Sequence, residues 1–181
     1  MNEQSAASRV LEIAPGELTN EQKAGLEALI KGRGRILAPY KVWLHSPELL
    51  RAMERLGTFL NTHSSLSERE IELAICLIAL HWAGEYVFAA HAARCLALGY
   101  SPAVIEAIRN HALPDLASPR ERAVYEVAVQ AAKPGPGPDE LFDRALAALG
   151  RDGLAELICL LGYYSAVAIA MKLHRVPIKA R

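Results

Sequence analysis

The sequence predicts an all-α fold, and three observations carry that prediction. Helix-start signals recur along the chain, period-2 runs of Val, Ile and Thr are essentially missing, and Ala and Leu dominate a composition that is 52% hydrophobic. With 181 residues against roughly 150 for an average domain, one domain spanning residues 1–181 is expected. Three cysteines (Cys76, Cys95, Cys159) form no CxxC pair and suit a reducing compartment better than a disulfide framework.

The elements follow from their caps. Ser46-Pro47-Glu48 places an N-cap before a proline at the first helical position and opens a helix to about Asn61. Ser67-Glu68-Arg69-Glu70 is a capping box and opens an apolar helix to about Trp82. Gly84 breaks the pattern. A further helix runs from about Glu85 to Leu98 and stops at Gly99, after which Ser101-Pro102 opens the next. Ser118-Pro119 repeats the device for a helix to about Ala132, and the matching Ser-x-Arg-Glu openings at Ser67 and Ser118 hint at a duplicated hairpin. Pro134-Gly-Pro-Gly-Pro138 cannot be helical and reads as a turn within one bundle. Helices from about Asp139 to Leu149 and from about Gly153 to His174 follow.

Twenty basic against twenty acidic residues give no net charge, so no basic field draws nucleic acid or an anionic membrane. The charge-free run Leu157–Met171 is shorter than the roughly 20 residues of a membrane span and reads as a buried helix. Residues 1–10 carry Glu3 and Arg9 without a signal-peptide core, so a cytoplasmic setting is expected.

Polar residues inside apolar helices are the informative ones, because burying one unpaired costs roughly 1 to 3 kcal/mol. Glu72 interrupts the run from Ile71 to Leu80, and His91 and Arg94 interrupt the run from Tyr86 to Leu98. Glu72 and Cys76 are four apart, as are His91 and Cys95, so each pair shares a helix face. If the two helices pack antiparallel across Gly84, a carboxylate and an imidazole meet in partly apolar surroundings, a combination able to pass a proton. The plainer alternative pairs Glu72 with Arg69 at the helix end and leaves His91 as a core residue. A zinc site drawing on His81 with Glu85, or on His91 with Cys95, is a second alternative, though no HExxH or paired-Cys motif is present. His45, His63, His111 and His174 fall near helix ends, where capping is their expected role. No GxGxxG, P-loop Lys, GxSxG or DxDxDG pattern occurs.

These stretches also carry a family resemblance. LHSPELL (Leu44–Leu50), SSLSEREIELAI (Ser64–Ile75), HWAGEYVFAAH (His81–His91) and LALGYSPAVIEAI (Leu96–Ile108), in that order, resemble the carboxymuconolactone decarboxylase family, which includes the AhpD-type alkyl hydroperoxidases. The segment Leu154–Ile178 is similar to the closing helix of the longer members. The resemblance implies an AhpD-like bundle of about seven to eight helices. It aligns His91 with the His of the AhpD motif CxxCxxxH, Glu72 with its relay Glu, and Gly84 and Val87 with its two cysteines. A CxxC peroxidase is therefore disfavoured, since a peroxidase needs a low-pKa thiolate and a resolving thiol.

Cysteine-free members carry a Tyr-Glu-Trp word where this chain has Tyr86-Val87-Phe88, with Glu85 roughly 200° away around the helix. The implied activity is cofactor-free, decarboxylase-like lyase chemistry on a small organic acid or lactone. His91 is the candidate proton donor and Glu72 sets its tautomer. His81, Glu85, Tyr86 and Arg94 support or bind substrate, with Arg33 and Arg35 as further candidate carboxylate partners. No metal or other cofactor is called for. A non-catalytic small-molecule-binding member, and thiol peroxidase activity through Cys76 or Cys95, are the rival readings. The family also implies homo-oligomers, as dimers or trimers of dimers, to which the long apolar helix from Leu154 could contribute a face.

Overall fold

Side-chain caps open four of the eight α-helices among the described residues of the computed structural model, which describes residues 7–34 and 36–177. Among these residues the chain forms α1 (Asn20–Arg33), α2 (Ala38–Trp43), α3 (Pro47–Thr62), α4 (Glu68–His81), α5 (Glu85–Ala97), α6 (Pro102–Arg109), α7 (Pro119–Ala131) and α8 (Asp139–Leu173), with no strand. The all-α architecture read from the sequence is the one observed. At α4 the Ser67 hydroxyl accepts from the Glu70 backbone N–H while the Glu70 carboxylate accepts from the Ser67 N–H. Ser101 and Ser118 cap α6 and α7 ahead of their prolines.

Two helices precede the first sequence-read element. Thr19 and Gln22 form a complete capping box for α1, and α2 is a single short turn pinned by the buried Tyr40 and Trp43. The two C-terminal helices expected either side of residues 150–152 meet without an intervening loop. Only Gly150, at φ 74° and ψ 175°, leaves helical geometry, so Asp139–Leu173 is one helix with a kink.

α4 is the centre of the bundle. Ile71 and the run Leu73–Cys76 are buried on every side, and α5, α7 and α8 pack around them. α8 is long and apolar enough to cross a membrane by length and composition, but 56% of its most apolar window is buried in the protein. It serves here as a core helix, through Leu157, Leu160, Val167, Ala168 and Met171.

The tight link from α4 to α5 positions everything that follows. Gly84 N–H bonds back to the Ala79 carbonyl, and a Cβ at Gly84 would sit 2.8 Å from the Ala168 Cβ of α8. Only a residue without a side chain lets the start of α5 lie this close to α8.

Candidate functional site

Glu72 projects from the middle of α4 with its side chain 6% exposed. A carboxylate in such a place must find partners. His91 on α5 supplies one, with Nδ1 at 2.6 Å from Glu72 Oε2. The ionised carboxylate only accepts, so the Nδ1 proton donates to it and Nε2 is left as the unprotonated acceptor of the neutral ring. Arg94, one turn further along α5, places Nε 3.3 Å from Glu72 Oε1 and turns Nη2 to Glu68 at the start of α4. Glu72 thus has one oxygen against His91 and one against Arg94.

The His91 ring lines a cavity of about 260 Å³ between α2, α3, α5 and α8, walled by Tyr40, Tyr86, Val87, Tyr163 and Tyr164, with Arg94 also on its lining. Tyr164 meets the His91 ring edge to face at 5.3 Å, Tyr163 meets Tyr164 at 5.2 Å, and Trp43 and Tyr40 continue the chain. Asn61, also on the lining, accepts from the Tyr164 hydroxyl at 2.9 Å and donates to the Gly57 carbonyl. The imidazole is therefore held from both sides, by Glu72 at Nδ1 and by a braced ring on its flank.

Glu72, His91, Tyr86 and Arg94 come together here, whereas His81 and Glu85 do not. His81 points to a separate cavity shared with His111, and Glu85 reaches Arg109 at 3.5 Å on the surface. Glu72 does not pair with Arg69 either. Arg69 bonds Glu121 at 2.8 Å and the Leu98 carbonyl at 2.7 Å, lying over the Tyr100 ring. Among the described residues no group of three or more His, Cys, Asp or Glu could hold a metal ion. Both spacings that suggested zinc are split: His81 faces its own cavity while Glu85 pairs with Arg109, and His91 goes to Glu72 while Cys95 goes to Cys76. Of the expected capping histidines, His174 Nδ1 lies 2.8 Å from the Ala170 carbonyl at the end of α8, and His45 bonds the Leu11 carbonyl. Arg35 and the Arg33 side chain lie outside the described residues.

At the positions aligned with the AhpD cysteines, Gly84 is packed against α8 and the buried Val87 forms part of the cavity wall. The two cysteines four residues on from Glu72 and His91 meet each other instead, with Sγ atoms 3.7 Å apart and both side chains buried. The hydrogen bond to Cys95, burial and the Glu72 charge all push the Cys76 thiol well above its ordinary range. Neither sulfur lines the cavity.

Sequence reasoning missed Asn61, Tyr163 and Tyr164. The two tyrosines were legible only as part of an apolar helix, and Asn61 only as a helix end. Glu68 was read as part of a cap, although its four-residue spacing from Glu72 put both carboxylates within reach of one arginine.

The helical bundle has the AhpD-like fold. Three solved structures share the fold. One is an uncharacterized peroxidase-related protein from Silicibacter sp. TM1040, at 16% identity and a TM-score of 0.75, covering 96% of this chain and 93% of that one. Another is the debrominase Bmp8, as a cysteine-to-alanine variant in complex with 2,3,4-tribromopyrrole, at 14% identity and a TM-score of 0.71, covering 97% of this chain and 94% of that one. The third is an Agrobacterium tumefaciens protein of unknown function, proposed to be the antioxidant defence protein AhpD, at 16% identity and a TM-score of 0.68, covering 77% of this chain and 96% of that one. No curated protein matches in sequence. Residues 47–130 match the carboxymuconolactone decarboxylase family, and the chain carries no CxxC pair.

Proposed function

We propose that the chain carries out cofactor-free, decarboxylase-like lyase chemistry on a small organic acid or lactone bound in the tyrosine-lined cavity, with Glu72 and His91 moving the proton. One observation carries this reading. The Nδ1–Oε2 contact of 2.6 Å fixes the tautomer, and no described residue is bonded to Nε2 on a ring that lines the cavity. In loss of CO2 the electrons of the breaking C–C bond pass into the unsaturated carbonyl. Nε2, bare in the resting ring, first takes a proton from solvent in the cavity; Glu72 stabilises the imidazolium so formed, whose Nε2–H then protonates the carbanion and returns the ring to its Nδ1–H form. The family match supports the class of chemistry, and the debrominase relative, which binds a small ring in the same fold, supports the size of substrate. Assay of lactone decarboxylation by the wild type and by His91→Ala tests it: turnover in the first and not the second is expected. Equal rates, or no turnover in either, would overturn the assignment, and the latter fits a non-catalytic binding member.

The Cys76–Cys95 contact favours a second reading, thiol peroxidase activity. It requires a thiolate that peroxide can reach, whereas both sulfurs are buried. Fast alkylation of either thiol at neutral pH would support it. Slow labelling excludes it.

Self-assembly into dimers or trimers of dimers belongs to the same proposal. Exposed Ile158 and Leu173 on α8 provide apolar surface for it. Light scattering on the eluting protein is expected to give a multiple of the 19.7 kDa chain mass.

A further inference from the structure

The arrangement of charges at the cavity mouth narrows the ligand. Arg94 is the one cationic side chain of fixed charge among the described residues lining the cavity, and its donors are unequally committed. Nε faces the buried Glu72, Nη2 faces Glu68, and no described residue is bonded to Nη1. Glu68 is a weak holder, because its side chain is 50% exposed and that of Arg94 58%, so the pair is solvated and screened. Glu68 is also absent from the cavity lining. The Nη1 and Nη2 groups together form the end-on fork that a carboxylate engages with two parallel bonds.

From this geometry we infer that the cavity takes a planar ring bearing a single carboxylate, and that Glu68 is a specificity-determining residue which competes with that carboxylate for the Arg94 fork. The inference rests on the cavity being the active site proposed above. Exchange of the Glu68 carboxylate for the ligand's leaves the charge around Arg94 unchanged, so one anionic group is accommodated. A second would face Glu72, His91, tyrosine rings and aliphatic wall with no second cation of fixed charge among the described residues to meet it. The volume of about 260 Å³ falls just below the roughly 300 to 1,000 Å³ of drug-sized sites, which suits one ring and its substituents. Tyr86, Tyr163 and Tyr164 supply the aromatic surface for that ring.

Calorimetric titration of the full chain with benzoate, its uncharged analogue benzamide and its dicarboxylate analogue isophthalate tests the inference. Benzoate is expected to bind best of the three. Glu68→Gln should tighten benzoate about two- to five-fold, the strength of an exposed ion pair, and leave benzamide unmoved. Arg94→Gln should weaken benzoate at least about ten-fold, as loss of a charge-assisted fork does. Absence of saturable benzoate binding, equal benzoate affinity in all three proteins, or tighter binding of isophthalate would each overturn it. His91→Ala separates this inference from the reaction: it should abolish turnover yet still bind benzoate. Turnover that survives while the benzoate pattern holds would remove the proton relay and leave the carboxylate site standing.

Discussion

Glu70 and Glu72 stand two residues apart on α4 and are almost equally buried, yet they are built into opposite kinds of site. Glu70 faces α7 and α8. Arg120 grips both of its oxygens at 2.7 and 3.1 Å and also donates to the Ala148 carbonyl, while the Ser67 cap fills the remaining valences. Glu72 faces α5, where its closest partner is a titratable imidazole on the wall of a cavity. A carboxylate clamped by a guanidinium fork holds one protonation state and ties helices together. A carboxylate against an imidazole can hold either of two. Partner type and access to a cavity, rather than burial, separate the structural site from the one proposed to react.

The largest effect expected from breaking this comparison is on turnover. His91→Asn and Glu72→Gln should each lower kcat by about 10²- to 10⁴-fold in a protein that still folds, as loss of a positioned acid or its orienting group does. Glu70→Gln should leave kcat within a few-fold of wild type. An equal fall in all three would erase the distinction.

Stability should move the other way. Loss of the charged hydrogen bonds to a part-exposed Arg120 should cost about 2–3 kcal/mol, which Glu70→Ala should show in denaturant unfolding. Burial pushes the Glu70 carboxyl upward, but Arg120 and the backbone and hydroxyl of Ser67 outweigh it and hold the group below its ordinary 4.5. A depressed folded value gives stability that is whole above about pH 4.5 and is lost as pH falls through that lower value. Acid titration of stability should therefore be shallower in Glu70→Gln than in the wild type, and identical slopes would refute the clamp.

Gly84 gives a smaller effect. Restoring a side chain at the vacated cysteine position, as Gly84→Ala or Gly84→Cys, drives a Cβ into Ala168 and should cost about 1–3 kcal/mol in thermal unfolding. A Tm equal to wild type would show that α8 yields freely. The smallest effect belongs to Tyr164→Phe, which frees Asn61 and should cost about 1 kcal/mol, with a modest fall in kcat as the His91 ring loses its brace.

The helices from Ser46 onward were legible because caps and prolines are local signals: Ser67, Ser101 and Ser118 each bond as the sequence requires, whereas Ser46, read as a cap, makes no side-chain cap bond and Pro47 alone marks the start of α3. α1 and α2 were not, because α1 presents a weak apolar stripe and α2 is a single turn fixed by tertiary burial of Tyr40 and Trp43. Glu72 and His91 stood out as polar breaks in apolar runs. Their spacing also put Cys76 opposite Cys95, which the sequence showed only as two separate thiols. The cavity walls were hidden, because Asn61 and Tyr164 meet across 103 residues and nothing local marks that contact. His81 misled for the same reason. It is the last residue of α4, but its ring lines the cavity shared with His111 instead of the site.

The central claim is that Glu72 sets the protonation of His91 so that Nε2 is the atom presented to substrate. Nitrogen-15 NMR of the full chain near pH 8, with His91→Asn to assign the signal, reads it directly. A neutral His91 with the proton on Nδ1 and bare Nε2 is expected, and loss of that tautomer preference in Glu72→Gln. A proton on Nε2 in the wild type, or a His91 spectrum unchanged by Glu72→Gln, would contradict it.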